Sequence, residues 1–295
     1  MRIVFVMRKW FVVFCLIGGI FLVGKGWHFA KGGFHFLRVR AALPSLPNPM
    51  PISKEIAADL NQPFFYLGQG RQYYVFSSED GKYVLKLPRL DRYEVPFWLA
   101  AAPFPFLNEQ RKKMREQRKR RLELLLESAR IAFEELQEET GVLLLHFHAT
   151  DGLQVKTTIR DRIGRVYGLD LDRTAFVLQE KKDVMADAFD RSFRKGDLQA
   201  AKEILSAFLR ATAARAQKGV YNKDHFQLLR NYGFDGSRGF EIDIGTFYRE
   251  PANFSKTPFR DTVEPIGKWL FQVDPVLADW FVSQTDRIEG VKCDP

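Results

Sequence analysis

The spacing of apolar positions changes several times along the chain, and the changes divide it into segments. First comes an unbroken apolar run, WFVVFCLIGGIFLVG from Trp10 to Gly24, preceded by Arg2, Arg8 and Lys9. About 15 residues at 1.5 Å rise each fall short of a bilayer core of roughly 30 Å, and continuing the helix through Lys25 to Ala30 makes up the length. Trp10 and Trp27 would then sit near the two interfaces, with Lys25 reaching for the headgroups. The pattern predicts one uncleaved transmembrane helix within residues 1–31. A cleaved signal peptide has the same basic start and short apolar stretch, although Gly24-Lys25-Gly26 is a poor cleavage site. A buried helix of a soluble domain is the third reading. Lys25, Lys31, Arg38 and Arg40 follow the run, so flanking charge barely decides its orientation.

Residues 32–55 read as a linker, because four prolines fall within LPSLPNPMPIS, 43–53. From about Ile56 the period becomes that of strands. Phe64 to Leu87 predicts three, with Glu79-Asp80-Gly81 as a hairpin turn. An apolar, proline-broken patch, Val95 to Leu107, leads into RKKMREQRKRR, Arg111 to Arg121. Leu122 to Thr140 repeats with helical period and is closed by Gly141 at a C-cap position. Val142–Phe147, LQVKTTIR, GRVYGLDLD and TAFVLQEK return to strand pattern, with Gly152, Gly164 and Asp172 in turns. A second long helix runs from the candidate N-cap Asp197 to Gln217 and ends at Gly219. VYNKDHFQLLRNYGF and FEIDIGTFY have β-like stretches around Asp235-Gly236, and two short helices, about 262–273 and 275–287, close the chain.

Composition changes this picture in two ways. Lys and Arg outnumber Asp and Glu by 45 to 36, which favours phosphate-rich partners: nucleotides, nucleic acid or anionic lipid. The two cysteines, Cys15 and Cys293, give neither a disulfide framework nor a metal-binding spacing. The basic run has eight Lys or Arg in eleven residues. It reads as a solvated helix face or, beside the apolar patch, as a contact of 95–121 with anionic lipid. No nucleic-acid-reading motif accompanies it.

The order of the remaining motifs carries the chemistry. Leu67-Gly68-Gln69-Gly70 precedes Lys86 on a following strand, and a helix bearing Glu127 comes next. Later come Asn222-Lys223-Asp224, Asn231 and Glu241-Ile242-Asp243-Ile244-Gly245. In this order the chain resembles the protein-kinase-like superfamily from about Phe64 to Phe247. The resemblance implies an α+β, bilobal fold: a five-stranded antiparallel small lobe (56–181, with an insertion at 91–121) and a reduced helical large lobe (182–295). It implies that Gly68 and Gly70 cover the phosphates of ATP, where a Cβ would obstruct backbone approach. Lys86 would meet the α- and β-phosphates and pair with Glu127, for which Glu123, Glu134 and Glu135 compete. Phe176 to Glu180 would run into the adenine-binding hinge. Asp224 would accept the proton of a substrate hydroxyl, with Asn231 and Asp243 holding Mg²⁺.

Four departures qualify the match. Tyr73 stands where the third glycine would be, and Asn222 and Lys223 replace the His and Arg of the catalytic triplet. The gap from Asp224 to Asn231 is two residues longer than in the family. Only 50 residues follow Gly245, with no Ala-Pro-Glu. A membrane-anchored ATP-dependent phosphotransferase is therefore weighed against a pseudokinase acting as a binding or scaffold module, and against a membrane-associated structural protein. A protein partner stays open, and ATP dependence would place the domain on the cytoplasmic side.

Overall fold

The computed structural model describes residues 18–19, 22–27, 29–39, 54–224, 228–249 and 258–290. Most of the apolar run Trp10–Gly24 lies outside these residues, as does the proline-rich stretch 43–53. Among the described residues no helix is long and apolar enough to cross a membrane. The fold is α+β. Its largest sheet is mixed and seven-stranded, in the order β4-β7-β3-β2-β1-β5-β6. The strands are β1 Phe64–Gln69, β2 Tyr73–Ser78, β3 Tyr83–Pro88, β4 Val142–His146, β5 Lys156–Arg160, β6 Val166–Asp170 and β7 Phe176–Glu180. The expectation of a five-stranded antiparallel sheet is corrected here. All seven strand-patterned runs join one sheet, and β5 lies parallel to β1, Phe64 opposite Ile159. The β5–β6 hairpin thereby covers an edge of β1 whose backbone groups would otherwise stay unpaired.

The chain separates into two compact units that interleave in sequence. One takes Met1–Asp80, Leu85–Asp91 and Phe147–Phe176, and the other takes Gly81–Val84, Arg92–His146 and Val177–Pro295. In the first unit, helix α1 (Lys54–Leu60) precedes the β1–β2 hairpin. Packing on these strands begins upstream of Ile56. Phe34 is 1% exposed, its ring set against Tyr66, Tyr74, Phe76 and Tyr167. Gly32 and Gly33 deliver it there with φ of +62° and +77°, a region a side chain rarely enters. Their carbonyls accept the hydroxyls of Tyr66 at 2.6 Å and Tyr74 at 3.2 Å.

The second unit is mainly helical. After α2 (Phe97–Ala100) comes α3 (Asn108–Glu134), which takes in the basic run as well as the apolar-patterned half that begins at Leu122. It buries Leu125, Ser128, Ala129, Ile131 and Ala132, positions spaced three or four apart. The short α4 (Gln137–Thr140) ends at Gly141, which is left-handed at φ 66° as its cap position requires. The core gathers around α6 (Leu198–Gln217), whose N-cap Asp197 accepts the Ala200 N–H at 3.0 Å. Ile204, Leu205 and Phe208 pack there with Val263, Ile266 and Leu270 of α7 (Pro258–Val273) and Phe281 of α8 (Pro275–Gly290). Met185 and Phe189 come from α5 (Met185–Arg194), a helix too short to stand out in the sequence pattern. Two small sheets complete the unit. Strands β8 (Asp183–Val184), β10 (Tyr232–Phe234) and β11 (Gly239–Glu241) form one, and β9 (Tyr221–Asn222) pairs with β12 (Phe247–Tyr248) in the other.

Candidate functional site

Asn222, Asp224, Asn231 and Asp243 all belong to the second unit, and the small sheets determine their neighbours. Helix α6 ends before Gly219, which at φ +69° turns the chain into β9. Asn222 pairs with Phe247 in the antiparallel β9–β12 ladder. The segment entering Asp224 is therefore held beside the segment leaving Gly245. The β10–β11 hairpin turns at Asp235, whose carboxylate accepts the Ser237 and Arg238 N–H groups at 3.0 and 2.8 Å. Burial alone would raise the Asp235 pKa, but these bonds and the nearby Lys182 bring it below the usual value.

At the open end of that hairpin the Asn231 carbonyl accepts the N–H of Ile242 at 2.9 Å and of Asp243 at 3.4 Å. These bonds bring Asn231 and Asp243 together, although 11 residues separate them in the chain. One Asp243 carboxylate oxygen accepts the Gly245 N–H at 3.2 Å, which fixes the turn. Asn231 is 8% exposed, and its side-chain Nδ2 has no hydrogen-bond partner among the described residues. A buried amide donor left unpaired is costly.

Asn222, which the motif reading notes only as a replacement for the His of the triplet, is the organising residue. Its Nδ2 donates to Glu241 Oε2 at 3.0 Å, and its Oδ1 accepts the Asp224 N–H at 3.0 Å and the Thr246 hydroxyl at 2.6 Å. Glu241 in turn accepts Arg215 Nε at 2.5 Å, with side-chain exposures of 1% and 0%. Arg215 also donates to the Val220 carbonyl and to Thr262 Oγ1. Burial by itself would lower the Arg215 pKa, but the Glu241 charge outweighs it and the pKa is raised. Burial, with the same Glu241 charge, raises the Tyr232 hydroxyl pKa.

Ser128 is a residue the motifs did not indicate. Fully buried on α3, it donates to the Ile244 carbonyl at 2.6 Å and accepts the Phe247 N–H at 2.7 Å. It thus clasps both sides of the turn after Asp243. Glu127, the preceding residue, lies on the outer face, where Arg130 binds both of its carboxylate oxygens. Hydrogen bonding from Arg130 lowers the Glu127 pKa. The competing carboxylates are paired as well: Glu123 with Lys119, Glu134 with Arg130 and Glu135 with Arg249. The buried face of α3 carries no carboxylate.

Gly68, Gly70 and Lys86 belong to the first unit. Gly68 sits at a register shift in the β1–β2 ladder, opposite Val75, and the Gly70 N–H bonds the Tyr73 carbonyl at 2.9 Å. A Cβ on Gly68 would meet nothing within 4 Å, and one on Gly70 only the Tyr73 carbonyl at 3.9 Å. Local packing therefore does not demand these glycines, and they leave the hairpin backbone bare. Lys86 is 7% exposed on β3.

Among the described residues, no group of three or more His, Cys, Asp or Glu could hold a metal ion. An ion shared with substrate phosphates needs fewer protein ligands, and one carboxylate with one amide, as in Asp243 and Asn231, is compatible with that. A cleft of about 620 Å³ elsewhere in the second unit is lined by Lys181, Arg191, Lys195, Asp197 and Glu203 among others, and by none of the catalytic, nucleotide-binding or metal-binding candidates named from the sequence. No protein-family model matches the chain, and no curated protein matches its sequence.

Proposed function

We propose that the chain is a bilobal, kinase-like ATP-binding protein that transfers phosphate to a hydroxyl acceptor. The observation that carries this reading is the pairing of Asn231 with Asp243 through the Asn231 carbonyl, next to a ladder that sets Asp224 on the adjoining segment. Such a kinase needs an amide and a carboxylate side by side for its metal, and a second carboxylate on the neighbouring loop for the acceptor. Asp243 and Asn231 would hold Mg²⁺, which when bound neutralises phosphate charge. Asp224 would orient the acceptor hydroxyl and take its proton. In the first unit, the bare backbone at Gly68 and Gly70 suits phosphate approach, and Lys86 adds a cation.

Calorimetric titration of ATP into the detergent-solubilised full chain, with Mg²⁺ and with EDTA, tests the reading. Lys86→Ala should weaken binding in both conditions, and Asp243→Ala should remove mainly the Mg²⁺-dependent part. Asp224→Ala should retain binding and lose transfer. Absence of ATP binding by the folded wild-type chain would refute the proposal.

A second reading, nucleotide binding without transfer, is favoured by one observation. Glu127, the carboxylate such a site would use, is bound through both of its oxygens by Arg130 on the outer face of α3. ATP binding with no turnover on a panel of hydroxyl acceptors would select that reading.

A further inference from the structure

The stretch from Val95 to Arg121 is unusual in composition and in exposure. Val95 to Leu107 contains no charged and no amide side chain, whereas Asn108 to Arg121 holds eight basic residues and two acidic ones. Phe97, Phe104 and Phe106 are 86%, 51% and 76% exposed. The Phe104 and Phe106 rings stack on each other with centroids 5.5 Å apart. Burying one such ring is worth roughly 1.5–3 kcal/mol, so three left in water on one short segment call for an apolar partner.

Two basic residues of α3 bind this segment to the helix. Arg111 donates to the Leu99 carbonyl and the Asn108 side chain, both at 2.8 Å, and to the Ala102 carbonyl. Arg118 donates to the Arg92 and Glu94 carbonyls, which lead into the segment just upstream of Val95. The exposed aromatics and the basic half of α3 are thereby fastened into one surface of the second unit. Lys112, Arg115 and Lys119, spaced i, i+3 and i+7, share a helix face and are all exposed. Lys119 has one long contact, 3.9 Å to the exposed Glu123, so its charge stays available.

We propose that this surface docks on an anionic lipid bilayer. Phe97, Phe104 and Phe106 enter the interfacial layer, and Lys112, Arg115 and Lys119 meet the headgroups. Charge complementarity and the apolar segment argue together for that occupant. Headgroups take the cations while acyl chains take the rings. A nucleic-acid duplex would engage the cations and leave the three rings in water, since the 95–107 segment carries no charged or amide side chain to read base edges or phosphates. The proposal is independent of nucleotide binding.

The test is cosedimentation of the full chain with vesicles of phosphatidylcholine alone or mixed with phosphatidylserine, over a range of salt. Binding through the apolar run at Trp10–Gly24 is common to both lipids, so the ratio between them is the readout. Phosphatidylserine should raise affinity about 100-fold at low salt, at about fivefold for each of three basic residues, and added salt should erode the gain. Lys112→Gln, Arg115→Gln and Lys119→Gln together should abolish that ratio. Phe97→Ser, Phe104→Ser and Phe106→Ser together should weaken binding to both vesicles by at least about tenfold. All six side chains are exposed, so thermal unfolding should be unchanged in both variants. Equal affinity for the two lipids would overturn the proposal, as would a serine-lipid preference that survives the charge variant. Binding of a random single-stranded DNA that is lost in the charge variant, with lipid binding untouched by the serine variant, would overturn it in favour of a nucleic-acid surface.

Discussion

Arg215→Met offers the sharpest check on how the candidate site is supported. The guanidinium is fully buried and donates to Glu241 at 2.5 Å, to the Val220 carbonyl at 2.5 Å and to Thr262 at 2.8 Å. Methionine fills much of the same volume, so a cavity contributes little. What the substitution leaves behind is the Glu241 carboxylate, 1% exposed, with Asn222 as its remaining hydrogen-bond partner. Stranding one half of a buried ion pair costs about 3–5 kcal/mol, a large share of the roughly 5–15 kcal/mol that holds a domain together. Adding Glu241→Leu removes the stranded charge but takes the acceptor from Asn222, whose buried amide then stays unpaired at about 1–3 kcal/mol. The double variant should therefore be more stable than Arg215→Met and less stable than wild type. Urea unfolding followed by tryptophan fluorescence and by circular dichroism gives the ordering from the midpoints, with coincidence of the two probes checking that one transition is read. A loss under about 1 kcal/mol for Arg215→Met, or a double variant no better than the single one, would refute the argument, because either result means that Glu241 is not held as a buried charge.

Two further outcomes follow from the same hydrogen bonds. Ser128→Ala leaves the Ile244 carbonyl and the Phe247 N–H without their partner, and should cost about 2–4 kcal/mol in urea unfolding; a change below about 0.5 kcal/mol would show that the clasp is dispensable. The Asp235 pKa is lower folded than unfolded, so its contribution to stability is complete above the unfolded value near pH 4 and fades as pH falls through the folded one. Melting temperatures of wild type and Asp235→Asn should accordingly differ at pH 7 and converge towards pH 3, and a gap that widens in acid would contradict the assignment.

Strands and long helices were legible because their apolar spacing is dictated by burial on one side. β5 is the clear case: Thr157 and Ile159 point inward while Lys156, Thr158 and Arg160 point out. α6 was legible for the same reason, with Asp197 and Gly219 marking its ends. Strand partners were not legible. Nothing in the local pattern of Lys156–Arg160 says that it runs parallel to Phe64–Phe65, because pairing is decided by which edge is free. The segment around Phe34 was hidden too. Gly32 and Gly33 read as linker residues until Tyr66 and Tyr74 are seen to bond their carbonyls.

At the candidate site the division falls between what a motif names and what holds it. Asn231 and Asp243 could be named as candidates because metal-assisted phosphoryl transfer would restrict which residue types serve there. Ser128 and the bonding role of Asn222 could not, because their work is to satisfy backbone groups of a turn, and many polar side chains do that in some context. Arg215 left a faint signal: a lone cation among Ala211, Ala213 and Ala216 on an otherwise apolar face, matched by Glu241 in an apolar strand. A buried charge of each sign on two apolar elements argues that the elements touch, since neither ion is tolerable alone. Read in that way, the pair predicts that the end of α6 packs on the strand leading to Asp243. It ties the position of a candidate metal ligand to the helical core rather than to the loop that carries it.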